Sequence, residues 1–292
     1  MSDVLHDTFL GLDPDCCTYE RSRVVVVRVP YDGTASYAAG ARGGPAAIMA
    51  ASTQVELYDV ELGREVCGVG VCALPALAPS AAGPEEMIAR VEQACATPLS
   101  DGKLVLALGG EHSIALGAAR AAARRHGVLS ILQIDAHLDL RDSYEGTRFS
   151  HACVARRLLE IGSLVQVGVR TACPEELEAV AAHGLRPVWG HELARLAPED
   201  LAARVLEQLG PTVYVTLDVD GIDPSVIPAT GTPVPGGLGW YETLALLRAV
   251  GGQRRVVGCD ICELAPIPGQ VASDFAAALL AYKMIGYFVP PG

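Results

Sequence analysis

Asp135, His137 and Asp139 alternate at a spacing of two. In an extended segment that spacing places the three side chains on one side. Asp218 and Asp220 repeat the pattern, and His112 adds another imidazole. Together they form a mixed oxygen and nitrogen donor set. No cysteine belongs to it, which argues against a structural zinc site. The mix suits a borderline-to-hard divalent ion such as manganese. Four clustered carboxylates without a cation would repel one another and raise their pKa values. One ion would leave donors unused, whereas two ions sharing bridging carboxylates would employ all six. Two metals roughly 3.5–4 Å apart can acidify a water between them, giving a hydroxide nucleophile at neutral pH. Any one of these motifs alone is an ordinary turn sequence. The weight comes from finding them together.

The elements that must position these groups can be read from the hydrophobic pattern. Apolar runs rich in Val, Ile and Leu predict strands over residues 23–29, 67–72, 103–108, 128–134, 164–169, 212–217 and 255–262. Runs of this kind fit strands covered on both faces. Helices are expected over residues 84–95, 114–126, 152–161, 175–183, 198–209, 241–250 and 271–287. Alternation of the two predicts an α/β fold, a parallel sheet with helices on both faces. Ligands then bind beyond the carboxyl ends of the strands. That is where the chemistry falls: Gly109-Gly110-Glu111-His112-Ser113, Asp135-Ala136-His137-Leu138-Asp139, Asp218-Val219-Asp220 and Glu263 each follow a predicted strand.

The 292 residues show no repeat, low-complexity tract or linker, so a single domain over residues 1–292 is expected. Half are hydrophobic and the net charge is −12. Disorder is excluded by the first figure. Phosphate-driven nucleic-acid binding is disfavoured by the second. The best candidate membrane span, residues 271–289, is broken by Asp274 and Lys283, and the N-terminus does not read as a signal peptide. Nine scattered cysteines read as free thiols of a reducing cytoplasm. Three weaker signals are set aside. Asp218-x-Asp220-Gly221-x-Asp223 lacks the EF-hand glycine and glutamate. Cys259 and Cys262 should face opposite sides of a strand, and Gly68-x-Gly70-x-x-Ala73 lacks the strand–turn–helix of a dinucleotide site. The Gly40–Gly44 segment with Tyr31 and Tyr37 reads either as a loop at the site rim or as a subunit contact.

From about Val29 to Tyr287 the chain resembles the ureohydrolases, the family of arginase and agmatinase. The resemblance rests on Gly-Gly-Glu-His-Ser (109–113), Asp-Ala-His-Leu-Asp (135–139) and the run from Asp218 to Gly237 with Thr230-Gly231-Thr232-Pro233. It implies a three-layer α/β/α fold with a mostly parallel sheet, two Mn²⁺ ions, and hydrolysis of a guanidino group to urea and an amine. It also implies that Asp135 and Asp218 bridge the ions, that His112 and Asp139 complete one shell, and that His137 and Asp220 complete the other. Asp139 would orient the hydroxide. His151 would shuttle protons, a role its neutral-range titration suits. Glu263 would pair with the substrate guanidinium. Trimers or hexamers are implied as well.

Two departures from the family pattern, Ala152 after His151 and Ala229 before Thr230, place alanine where glycine is frequent. They bear on the substrate rather than on the ligands. After Asp139 the run Leu140-Arg141-Asp142-Ser143-Tyr144-Glu145 lacks the Asn-x-Ser of arginases and adds two acids. Acids there would repel a carboxylate and tolerate a second cation, which favours agmatine over arginine. Guanidinobutyrate, a non-catalytic guanidino-binding relative, and hydrolysis of a different C–N bond are the alternatives.

Overall fold

The computed structural model describes residues 7–291. Ten strands are assigned among them. They are β1 (Val24–Val29), β2 (Tyr58–Asp59), β3 (Arg64–Glu65), β4 (Val71–Ala73), β5 (Leu104–Gly109), β6 (Leu129–Ile134), β7 (Gly162–Val169), β8 (Val188–Trp189), β9 (Thr212–Asp218) and β10 (Arg255–Cys262). The helices are α1 (Gly44–Ser52), α2 (Pro84–Ser100), α3 (Ala115–His126), α4 (Val154–Leu158), α5 (Pro174–His183), α6 (Gly190–Leu193), α7 (Pro198–Leu206), α8 (Trp240–Gln253) and α9 (Ala272–Phe288). Eight strands form one sheet in the order β4-β1-β5-β10-β9-β6-β7-β8. Every pairing in it is parallel. The short pair β2-β3 is antiparallel and separate.

Alternation along each strand builds two cores. Val24 and Val26 of β1, with Leu104, Leu106 and Leu108 of β5, face the layer holding α1, α7, α8 and α9. Val25, Val27 and Val29, with Val105 and Ala107, face the layer holding α2, α3 and α4. The result is the expected three-layer α/β/α arrangement. Each wholly buried Val or Leu contributes roughly 1.5–3 kcal/mol by leaving water. Cys259 joins the first core and Cys262 the second, so that pair does face opposite sides. All nine cysteines are free. Among the described residues no helix is long and apolar enough to cross a membrane.

Two expectations are corrected, and some short elements are added. Residues 67–72 are not one strand: a 3-10 turn covers Val66–Val69 and only Val71–Ala73 pairs with β1. Gly70 makes the break, with φ at 76° and no space for a side chain against Arg21 O. Helix α2 runs beyond residue 95 to Ser100 despite Pro98. Proline removes one hydrogen bond near the last turn, while the adjacent Leu99 is buried against the sheet. Helix α1, strand β8 and the β2-β3 pair were not foreseen, because short elements carry too few residues for a periodic signal.

Candidate metal centre

Strands β5, β10, β9 and β6 are consecutive neighbours in the sheet. Their carboxyl ends carry the motifs singled out above. His112 lies in a 3-10 turn after β5, and Glu263 follows β10. Asp218 closes β9, with Asp220 in the turn behind it. Asp135 follows Ile134, the last residue of β6. Ile134 pairs with Leu217 and Asp218 with Cys262, so these ends are in step.

Asp135 is wholly buried and sits between two imidazoles. Its Oδ2 is 3.1 Å from His112 Nδ1 and its Oδ1 is 3.5 Å from His137 Nδ1. Asp139 Oδ2 lies 3.3 Å, and Asp218 Oδ2 3.6 Å, from the same His112 nitrogen. Asp220 Oδ2 lies 3.0 Å from His137 Nδ1. Five of the six donors therefore fall into two overlapping groups, His112–Asp135–Asp139 and Asp135–His137–Asp220, with Asp135 in both and Asp218 in neither. His112 Nδ1 is buried and makes no hydrogen bond. A buried ring nitrogen facing three carboxylates is a place where positive charge is stabilised, as a proton or as a metal ion. The donor set and this unpartnered nitrogen fit a pair of divalent ions.

Buried polar groups hold the donors from below. His112 Nε2 is 2.8 Å from Thr216 Oγ1, whose hydroxyl donates to Asp260 Oδ1 at 2.8 Å. Gln133 Nε2 donates to Asp135 Oδ2 at 2.7 Å, and Gln166 donates in turn to Gln133 Oε1 and Leu138 O. The Ala136 N–H reaches Asp220 Oδ1 at 3.0 Å. Gly221 permits that approach, since a side chain there would meet the Asp135 N at 2.6 Å. Two site residues carry positive φ without being glycine, Asp139 at 52° and Glu263 at 65°. Such conformations cost roughly 1–3 kcal/mol each and gather at functional sites.

The electrostatics describe a cluster that lacks positive charge. Burial opposes ionisation of Asp135, yet the His112 and His137 imidazoles hold it far below the usual range. Burial and the Asp135 charge push Asp139 up to about 7. Burial, then Asp220 and Asp135, push Asp218 well above its ordinary value. Burial, then the Glu111 carboxylate, push Glu263 up to about 8. Burial would lower His137, but Asp135 and Asp220 raise it to about 12. Protons on these groups supply what cations would otherwise supply.

Above the cluster opens a cavity of about 230 Å³. It is lined by His112, His137, Asp139, Asp218, Asp220, His151 and Glu263, so every residue nominated from sequence reaches it except Asp135, which lies buried beneath. Glu263 Oε1 accepts from the His112 N–H at 2.6 Å. Residues 22–286 match the model of the arginase family.

The chain belongs to the arginase family. It is 41% identical over 279 residues to the N(1)-aminopropylagmatine ureohydrolase of Synechocystis sp., covering 93% of this chain and 90% of that protein. It is 36% identical over 269 residues to the agmatinase of Pyrococcus horikoshii, covering 90% of each. The agmatine ureohydrolase structure of Thermoplasma volcanium superposes with a TM-score of 0.85 at 31% identity, over 93% of this chain and 91% of that one. This arginase-family chain is an agmatinase-like ureohydrolase, an enzyme that acts on guanidino compounds.

Within this family member the acidic-loop argument for the substrate fails. Asp142 accepts from Arg148 at 3.0 Å and Arg157 at 2.6 Å, and neither it nor Glu145 lines the cavity. The charge on Asp142 is spent on those two arginines. Ala152 does line the cavity, whereas Ala229 is wholly buried and its carbonyl accepts from the Ala265 N–H. Tyr37 is at the rim and Tyr31 is buried, while Gly40–Gly44 itself does not line the cavity. His151 departs from its neutral-range expectation: burial, then its His112 and His137 neighbours, push it down to about 4. Sequence reading missed Glu176, which lines the cavity while accepting from the Leu140 and Cys173 N–H groups. Its signal was the Cys173-Pro174-x-Glu176 helix start. It also missed Gln133, Gln166, Thr216 and Asp260, polar residues inside otherwise apolar strands.

Proposed function

We propose that the enzyme hydrolyses agmatine to putrescine and urea using two manganese ions. The observation that carries this reading is the sharing of Asp135 between two donor groups on the floor of one cavity. His112, Asp139, Asp135 and Asp218 would hold one ion; His137, Asp220, Asp135 and Asp218 would hold the other. Two such ions supply Lewis acidity and a water acidified enough to act as nucleophile at neutral pH. Asp139 would orient that water toward the guanidinium carbon. Glu263 would pair with the guanidinium, a planar donor fork suited to a carboxylate. His151 would carry a proton to the alkyl nitrogen as its C–N bond breaks. The water oxygen ends in urea, and both water protons end on the released amine.

Charge supports a cationic substrate. The four ligand carboxylates offset two divalent ions, which leaves Glu263 and Glu176 as the acids on the cavity wall. The positive wall residue is Arg141, whose guanidinium lies 5.1 Å over the Tyr144 ring. A substrate with a guanidinium at one end and an ammonium at the other matches that balance. N(1)-aminopropylagmatine is the second reading. It is favoured by the Synechocystis relative and by the exposed rim tyrosine Tyr37, whose face can accept a longer cationic chain. A single domain over residues 1–292, a homo-oligomer of three or six subunits, and cytoplasmic residence complete the proposal.

The test is urea release by purified enzyme with Mn²⁺ from agmatine, N(1)-aminopropylagmatine, arginine and guanidinobutyrate. Agmatine is expected to give the highest kcat/KM. A higher value for the aminopropyl compound selects the second reading, and no urea from any of the four defeats both.

A further inference from the structure

Glu111 is wholly buried beside His112 and plays no part in the donor set. Its Oε2 accepts from the Thr34 N–H at 2.6 Å, and its Oε1 accepts from the Thr34 hydroxyl at 2.7 Å and from the Ser113 hydroxyl. Three donors from two residues converge on it, and the ionised carboxylate can only accept from them. The Thr34 hydroxyl has one hydrogen, and that hydrogen is spent on Glu111. Its lone pairs face His151: the His151 N–H donates to Oγ1 at 3.1 Å, and His151 Nδ1 lies 3.1 Å from the same oxygen. An oxygen whose hydrogen is already committed can only accept from Nδ1. The ring must therefore carry its proton on Nδ1, which leaves Nε2 with the free lone pair.

We propose that Thr34 is a positioning residue, which with Glu111 behind it holds His151 as the Nδ1–H tautomer and presents Nε2 to the cavity. Thr34 comes from the loop after β1 and Glu111 from the loop after β5, neighbouring strands in the sheet. Their pairing thus ties the His151 turn to the sheet through two side chains. The inference rests on the proton-carrying role proposed for His151. In that role Nε2 takes a proton from the attacking water and returns it to the alkyl nitrogen as the C–N bond breaks. Nδ1–H stays bonded to Thr34 Oγ1 throughout, Thr34 keeps its own hydrogen, and no proton passes to Glu111. The arrangement has the logic of a base oriented by a third group, with a threonine interposed.

Thr34→Val removes the hydroxyl at nearly constant shape and keeps the backbone N–H that Glu111 Oε2 accepts. Its kcat should fall on the order of 10- to 100-fold, a part of what general acid–base catalysis supplies. KM and bound metal should stay within about twofold, because neither rests on the ring orientation. Thr34→Ser should recover most of kcat. Wild-type kcat in Thr34→Val, or a Thr34→Ser variant as slow as Thr34→Val, overturns the assignment. A second readout needs neither turnover nor a variant that folds poorly. Histidine ¹⁵N spectra of the full-length chain freed of paramagnetic ions, with His151 assigned by its loss in His151→Gln, should show protonated Nδ1 and bare Nε2. An Nε2–H ring there overturns the proposal even if urea is released. An Nδ1–H ring in an enzyme that releases no urea keeps the tautomer assignment and defeats the proposed function instead.

Discussion

His112 Nε2 lies 2.8 Å from Thr216 Oγ1, and this contact decides which nitrogen of the ring meets the carboxylates. The Thr216 hydroxyl spends its hydrogen on Asp260, so it accepts from Nε2–H and leaves Nδ1 as the nitrogen turned to the carboxylates. Thr216→Val should therefore loosen a metal ligand without deleting one. Metal affinity is expected to drop roughly 10- to 100-fold, the usual effect of removing a group that orients a ligand. A competition titration with a chelating dye would measure it, and unchanged affinity would show that the ring needs no such support.

Asp135 belongs to both donor groups. Asp135→Ala should remove both ions together and lower urea release at least about 100-fold, since the metals supply the nucleophile. Elemental analysis beside the assay is the check. Retention of one full equivalent of metal would refute the bridging position.

Metal uptake should release protons. Without cations Asp139 sits at about 7 and Glu263 at about 8, and His137 is held up at about 12. Near pH 6.5 these groups carry protons, which a divalent ion displaces from its ligands Asp139 and His137 and disfavours on neighbouring Glu263 by its charge. Protons bound only in the metal-free state mean that affinity rises with pH, through roughly 7–8 as Asp139 and Glu263 ionise and further above that as long as His137 keeps its proton. Calorimetry in two buffers of different ionisation enthalpy reads the number released. A value of zero at pH 6.5 contradicts the electrostatic description of the cluster.

Lys283 holds Asp59 at 2.9 Å and Glu61 at 2.8 Å, and Tyr287 also donates to Glu61. Lys283→Met leaves the buried Asp59 without its cation and should cost about 3 kcal/mol, read as a fall in Tm. Burial opposes the charge on Glu61, but Lys283 and Tyr287 bring its pKa below the usual 4.5. A carboxylate depressed in the folded state adds stability above its unfolded pKa, and that stability is lost as pH falls through the folded value. The wild type should thus lose Tm below about pH 4.5 more steeply than the variant does. Parallel acid profiles would argue against the pairing.

Much of this enzyme was legible one segment at a time. Residues 255–262 and 212–217 announced themselves as strands because runs such as Val213–Leu217 are rich in β-branched and apolar residues with few charges. Asp135, His137 and Asp139 announced a metal because donors at spacing two have few structural uses. Local pattern was less informative where charge had to be judged without its partner. Asp142 looked free to attract a substrate cation, yet Arg157, fifteen residues on, already holds it. His151 looked like an ordinary neutral-range imidazole until its burial beside His112 and His137 was seen.

Periodicity says which face of a strand is buried, but not which strand lies beside it. That Arg255–Cys262 inserts between Leu104–Gly109 and Thr212–Asp218 follows from long-range pairing. This insertion brings Glu263 within 2.6 Å of the His112 N–H across 151 residues of chain. The amino-acid order by itself determined the donors, their spacing and their place at strand ends. The tertiary structure alone decided that four of those ends are adjacent, that Asp135 is common to both donor groups, and that Thr34 and Glu111 stand behind His151. Such contacts depend on the order in which strands pack to bury two hydrophobic layers, and no local window of sequence carries that order.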